Sequence, residues 1–121
     1  MATIRYLVHD VDEAIGFYVE RLGFTLVQRM GAAFAIVGRD DLFLWLSGPR
    51  SSAAIPMPDG RTPEPGGWTR VVIEVSAIHD VVDELRASGC TFRNDLVSGS
   101  GGTQILVEDP SGNPVELFQP V

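Results

Sequence analysis

Few side chains in this sequence could do chemistry, and the most telling is a single carboxylate near the end of the chain. Residues 105–118 read I-L-V-E-D-P-S-G-N-P-V-E-L-F, and Glu116 stands there between apolar neighbours. Two short apolar runs, 105–107 and 115–118, flank Asp109-Pro110-Ser111-Gly112. Proline presets φ for a tight turn and glycine tolerates a strained exit, so the segment predicts a β-hairpin. Alternation along its second arm places Glu116 and Phe118 on one face and Val115 and Leu117 on the other. Glu116 is suited to act as a base, or as one metal ligand if others converge on it. The remaining candidates are weaker. His9 closes an expected strand beside a helix start, and His79 falls in the first turn of an expected helix. Cys90 has no basic neighbour to activate it and reads as a core-edge thiol. Gly99-Ser100-Gly101-Gly102 imitates a phosphate cradle, but a strand follows it, so it supplies neither a helix N-terminus nor a P-loop lysine. Ser47 and Ser51 have no histidine at a usable spacing.

Composition narrows the function classes. A chain of 121 residues with 45% hydrophobic content suits one domain, or two small modules sharing a core. It should bury about two-thirds of the surface it exposes when unfolded, and so needs no disulfide or structural metal to fold. One cysteine makes no intrachain disulfide. There is no basic-then-apolar leader and no apolar run near ~18 residues, which predicts a cytoplasmic protein that does not insert in a membrane. Sixteen acidic residues against nine basic ones give a net charge of −7, a field that repels phosphate backbones and argues against nucleic acid as a partner.

The elements that must position Glu116 repeat. Residues 3–8 read as a strand, with Thr3, Arg5 and Leu7 on one face and Ile4, Tyr6 and Val8 on the other. Asp10 followed by Glu13 is a capping-box pattern, and Val11, Ala14, Ile15, Tyr18 and Leu22 recur at helical spacing up to Gly23. Residues 24–28, 33–37 and 42–47 then read as three strands. A connector at 49–67 carries five prolines and little apolar periodicity, the composition of a linker or a lid. Beyond it, 69–75 reads as a strand, Ser76 as a helix cap, and Ile78, Val81, Val82 and Leu85 as a helical stripe ended by Gly89. Residues 91–94 and the two hairpin arms complete the second set. Laying Val8 over Val75 and Gly23 over Gly89 aligns strand with strand and helix with helix, with one residue of slack in the helix. The chain is therefore a duplicated β-α-β-β-β unit: module one at 1–48, the linker at 49–67 and module two at 68–121. Each helix has one apolar stripe to bury on a sheet. The expected fold is α+β, a concave eight-stranded mixed sheet around a cavity with a helix behind each half.

Two stretches, D-V-D-E-A-I-G-F-Y-V-E-R-L-G-F at 10–24 and V-E-D-P-S-G-N-P-V-E-L-F at 107–118, together with the internal repeat, resemble the vicinal oxygen chelate superfamily of glyoxalases, extradiol dioxygenases and bleomycin-resistance proteins. The resemblance implies metal ligands on the first and last strands of each module. Glu116 keeps the carboxylate of the last position. The other three positions hold Thr3, Trp45 and Arg70, which are a weak oxygen donor, an indole and a permanent cation. A divalent ion needs two or three histidine or carboxylate groups, so no metal and no other cofactor is expected. The resemblance also implies a homodimer, and a monomer by light scattering at high concentration would speak against it.

If Glu116 faces the cavity, alternation brings Arg70 and Val72, Arg5 and Leu7, Phe43 and Trp45, and Phe118 to the same side. A bidentate bridge from Arg70 or Arg5 would then fill the space that relatives give to metal, because an unpaired buried carboxylate is costly. The spare guanidinium could hold a carboxylate, phenolate or quinone oxygen while Trp45, Phe43 and Trp68 stack on a planar ring. The expected function is metal-independent binding of an aromatic or apolar metabolite or antibiotic, of the bleomycin-resistance type. The alternative is an enzyme of the lyase, isomerase or oxygenase kind with a remodelled metal site, using Glu116.

Overall fold

A computed structural model describes residues 2–121. The chain divides into two compact units, Met1–Gly66 and Gly67–Val121, each an α+β assembly with its own mixed sheet. In the first, β1 (Ala2–Leu7) runs parallel to β4 (Leu42–Ser47), β4 pairs antiparallel with β3 (Phe34–Arg39), and β3 pairs antiparallel with β2 (Thr25–Met30). The parallel β1–β4 pair needs a crossover, which the helix supplies.

Along these strands one set of alternating residues, Tyr6, Ala35, Val37, Leu44 and Leu46, is buried with Val11, Ala14 and Tyr18 of the helical segment. Register places Arg5 beside Trp45, Trp45 beside Ile36, and Leu7 and Phe34 beside Ser47 on the other face. Fully burying a side chain of the valine or leucine kind is worth about 1.5–3 kcal/mol, so the alternation fixes the register.

The helical segment departs from the expected continuous helix. Asp10 caps α1 (Val11–Gly16) by accepting the Glu13 amide at 3.0 Å, and a π-helical turn over Phe17–Arg21 follows. The one residue of slack between the two modules is the cause, because a π turn holds one more residue than an α turn over the same span. Within that turn Tyr18 is fully buried, meeting Phe17 and Phe24 edge-to-face at 5.1 and 5.4 Å.

In the second unit, β5 (Val71–Glu74) runs parallel to β9 (Pro114–Pro120), and β9 pairs antiparallel with β8 (Gly102–Glu108). The short strands β6 (Thr91–Phe92) and β7 (Val97–Ser98) both pair with β8. Val71, Ile73, Ile105, Val107, Val115 and Leu117 form a buried face, with Ile78, Val82 and Leu85 of α2 (Ile78–Ala87) also buried. Helix α2 ends as expected at Gly89, whose φ is +83°. The Gly89 and Cys90 amides return to the Arg86 and Leu85 carbonyls, each at 3.0 Å, which is the Schellman arrangement.

In place of one eight-stranded sheet, the chain carries separate sheets of four and five strands. The fifth strand of the second arises because the glycine-rich turn folds Val97–Ser98 back onto β8, with the Gly99 amide donating to the Gly102 carbonyl at 2.8 Å. Gly102 is required there, since a Cβ would fall on the Gln119 carbonyl oxygen and the Phe118 ring. Ser76 does not cap α2. The helix begins at Ile78, whose amide donates to Gln119 Oε1 of β9 at 2.8 Å, so the sheet itself closes that helix end.

The hairpin between β8 and β9 forms as the sequence predicts. Asp109 Oδ1 accepts from the Ser111 and Asn113 amides and Oδ2 from Asn113 Nδ2, all at 2.9 Å, while Gly112 takes a φ of +87°. The proline-rich stretch lies within the first unit. It contains a 3-10 turn at Ser52–Ala54 and a tight turn in which Asp59 accepts the Arg61 amide. No helix among the described residues is long and apolar enough to cross a membrane.

Candidate functional site

Glu116 lies on the face of β9 turned away from the buried apolar set, in register with Val72 on one side and Leu106 on the other. It is 8% exposed. Arg70, two residues before Val72, reaches it. Both Nε, at 3.1 Å, and Nη2, at 2.9 Å, donate to the same oxygen, Oε1, so the contact is a fork onto one oxygen. Arg70 Nη1 also donates to the Trp68 carbonyl at 3.2 Å, which holds the guanidinium against its own backbone. Arg5, the other expected partner of Glu116, instead donates to Ser47 Oγ at 3.1 Å.

Trp68 is 69% exposed, with the Arg93 guanidinium over its ring at 4.6 Å. Arg93 also donates to Glu108 Oε2 at 2.8 Å, the Gly67 carbonyl at 2.6 Å and the Gly112 carbonyl at 2.8 Å. One side chain thus joins the start of the unit to the hairpin turn and to β8. Val72 is exposed, and Phe118 is half-buried between Glu74 and Gln104 in register.

In the first unit the expected residues gather around Trp45. Arg5 places its guanidinium 5.0 Å from the centre of the Trp45 ring, and Phe34 meets that ring edge-to-face at 5.6 Å and 81°. Beside them is a cavity of about 410 Å³. Its lining is apolar at Met30, Ala33, Phe34 and Trp45 and polar at Arg5, Arg50, Ser51 and Ser52. Leu7 shares the sheet face with Arg5 and Trp45. Phe43 shares that face but does not line the cavity: it lies over Gly38, where a Cβ would come within 2.8 Å of the Phe43 ring.

Phe34, Met30 and Arg50 also line the cavity and carried no signal that marked them in the sequence analysis. Phe34 comes into place only once β3 and β4 pair, which sets it opposite Ser47. Arg50 sits in the proline-rich stretch, where no periodicity assigns a direction.

The four positions at which relatives would hold a metal do not fit one here. Thr3 and Trp45 in the first unit offer one weak oxygen and no lone pair. In the second, Arg70 is a cation and occupies the Glu116 carboxylate. Among the described residues no three histidine, cysteine, aspartate or glutamate side chains group as metal ligands.

Fold and sequence define the class. The chain belongs to the Glyoxalase/Bleomycin resistance protein/Dioxygenase superfamily, whose family model matches residues 1–117. It is 29% identical over 121 residues to a bleomycin resistance protein of Geobacillus stearothermophilus, covering 94% of this chain and 92% of the relative. Among solved structures it resembles a superfamily member from Sphaerobacter thermophilus, with a TM-score of 0.77, 26% identity and coverage of 98% of this chain and 95% of the other. The fold is also shared by TnmS3, an antibiotic binding protein from Streptomyces, at a TM-score of 0.74, 24% identity and coverage of 98% and 93%.

Proposed function

We propose that this protein is a metal-independent, cytoplasmic small-molecule-binding protein that holds an aromatic or apolar metabolite or antibiotic in the cavity of its first unit. The observation that carries the reading is the cavity of about 410 Å³ lined by Trp45, Phe34 and Met30 together with Arg5, Arg50 and two serines. Small-molecule sites are typically concave, about 300–1,000 Å³, mostly apolar, and oriented by a few polar groups. Offset or edge-to-face contact with Trp45 and Phe34 would add to burial when the ligand is planar. Similarity to proteins named for bleomycin resistance supports an antibiotic as one ligand class.

Titration with planar aromatic natural products, followed by tryptophan emission, is expected to give a saturable change in wild type. Trp45→Ala should weaken binding about tenfold, the equivalent of the ~1.5 kcal/mol that an aromatic contact can add. An unchanged affinity in that variant would count against the site.

The enzyme reading would turn on Glu116, and its carboxylate is engaged by Arg70 through two donors on one oxygen. Purified protein is accordingly expected to carry less than stoichiometric Fe, Mn, Ni or Zn by elemental analysis. A near-stoichiometric metal that survives dialysis would reverse the preference.

A further inference from the structure

All nine basic residues of this chain are arginines. Six of them, Arg29, Arg39, Arg61, Arg70, Arg86 and Arg93, stand within ion-pairing distance of an aspartate or glutamate. Of the three that do not, two line the same cavity, Arg5 and Arg50. Neither Arg5 nor Arg50 has a carboxylate partner among the described residues, and no carboxylate side chain lines the cavity. Arg50 also borders a neighbouring concavity that holds Asp10 and Asp12, but neither stands within ion-pairing distance of it, and Asp12 is paired with Arg29.

We infer that the cavity takes an aromatic carboxylate, whose ring lies against Trp45 and Phe34 and whose acidic oxygens are received by Arg5 and Arg50. This rests on the aromatic-cavity reading above and adds the charge of the ligand to it. Arg5 is held for the task from two sides, by its hydrogen bond to Ser47 Oγ and by the Trp45 ring beneath it, and those contacts leave guanidinium N–H donors over. Arg50 comes from the proline-rich stretch and Ser52 from the short 3-10 turn beyond it, so the segment that reads as a connector supplies one side of the anion site. Arginine suits the role because its planar fork matches a carboxylate and its weakly hydrated charge is cheap to cover with a ring.

The test compares three probes of one shape: 2-naphthoate, the neutral 2-naphthamide and the cationic 2-naphthylmethylammonium, titrated calorimetrically into the full chain. Naphthoate is expected to bind at least about tenfold more tightly than the amide, the scale of one charge-assisted hydrogen bond, and the ammonium more weakly still. Arg50→Ala, at an exposed loop position, should remove most of that preference by weakening naphthoate about tenfold more than it weakens the amide. Arg5→Lys, which keeps the charge and loses the fork, should reduce it in part. Equal binding of all three probes, or naphthoate affinity untouched by Arg50→Ala, would overturn this inference and leave the aromatic cavity standing. Binding of none of the three would overturn both.

Discussion

Replacing Arg70 by alanine should lower the free energy of unfolding by about 3 kcal/mol, measured by urea denaturation at neutral pH. Glu116 is 8% exposed and its Oε1 receives two N–H groups from Arg70. Removing the cation strands a largely buried charge, which generally costs about 3–5 kcal/mol. Because the Arg70 side chain is itself 29% exposed, water can reach part of the gap, and the lower end of that range applies here. Glu116→Gln should be milder, about 1 kcal/mol, since an amide oxygen still accepts from the guanidinium and no bare charge remains. The double variant should be no less stable than Arg70→Ala alone. A loss below about 1 kcal/mol in Arg70→Ala would mean that Glu116 finds another cation or stays solvated.

Arg93→Ala should cost a similar amount, about 3 kcal/mol, for a different reason. The Arg93 side chain is 16% exposed and donates to Glu108, the Gly67 carbonyl and the Gly112 carbonyl while covering one face of Trp68. Its loss leaves a half-buried carboxylate and two carbonyls short of a donor. Arg93→Lys should recover less than half of the loss, because an ammonium cannot reach three acceptors in a fork and stack at the same time. Trp68 emission should shift to the red in both variants as the ring loses its cover. Full stability in Arg93→Lys would reduce this hub to a simple ion pair.

Much of the fold was legible in the sequence, and the reasons differ by element. The repeat, the strand faces and the hairpin at Asp109 were open to inspection because each rests on local patterning: alternation, a helical stripe, and turn residues whose φ preferences are intrinsic. Even the π turn at Phe17–Arg21 left a trace, as one surplus residue between Val8 and Gly23 relative to the second module. What failed was non-local. Ser76 looked like a cap on its own, but the amide of Ile78 is taken by Gln119, forty-one residues away in sequence. The choice between Arg70 and Arg5 as the partner of Glu116 depended on how the chain enters β5 after Trp68, which no periodicity encodes. The extra strand Val97–Ser98 was too short to carry an alternation of its own.

The candidate site divides the same way. Arg5, Leu7 and Trp45 were grouped because they share one face of two adjacent strands, and of the three Arg5 and Trp45 line the cavity while Leu7 does not. Phe43 was placed with them by parity, and parity was right about its face but blind to Gly38, which gives the ring a seat outside the cavity. Arg50 was out of reach because a loop residue has no period to reveal its direction.

In the proposed function an aromatic ligand binds beside Trp45. Because the chain has two tryptophans, Trp68→Phe leaves Trp45 as the sole reporter, and Trp45→Phe leaves Trp68. The most direct measurement is to titrate both variants with the same planar aromatic ligand and follow emission. A saturable change that matches the calorimetric affinity is expected in Trp68→Phe, and little change in Trp45→Phe. A saturable response from Trp68 alone, with Trp45 emission constant through saturation, would contradict it.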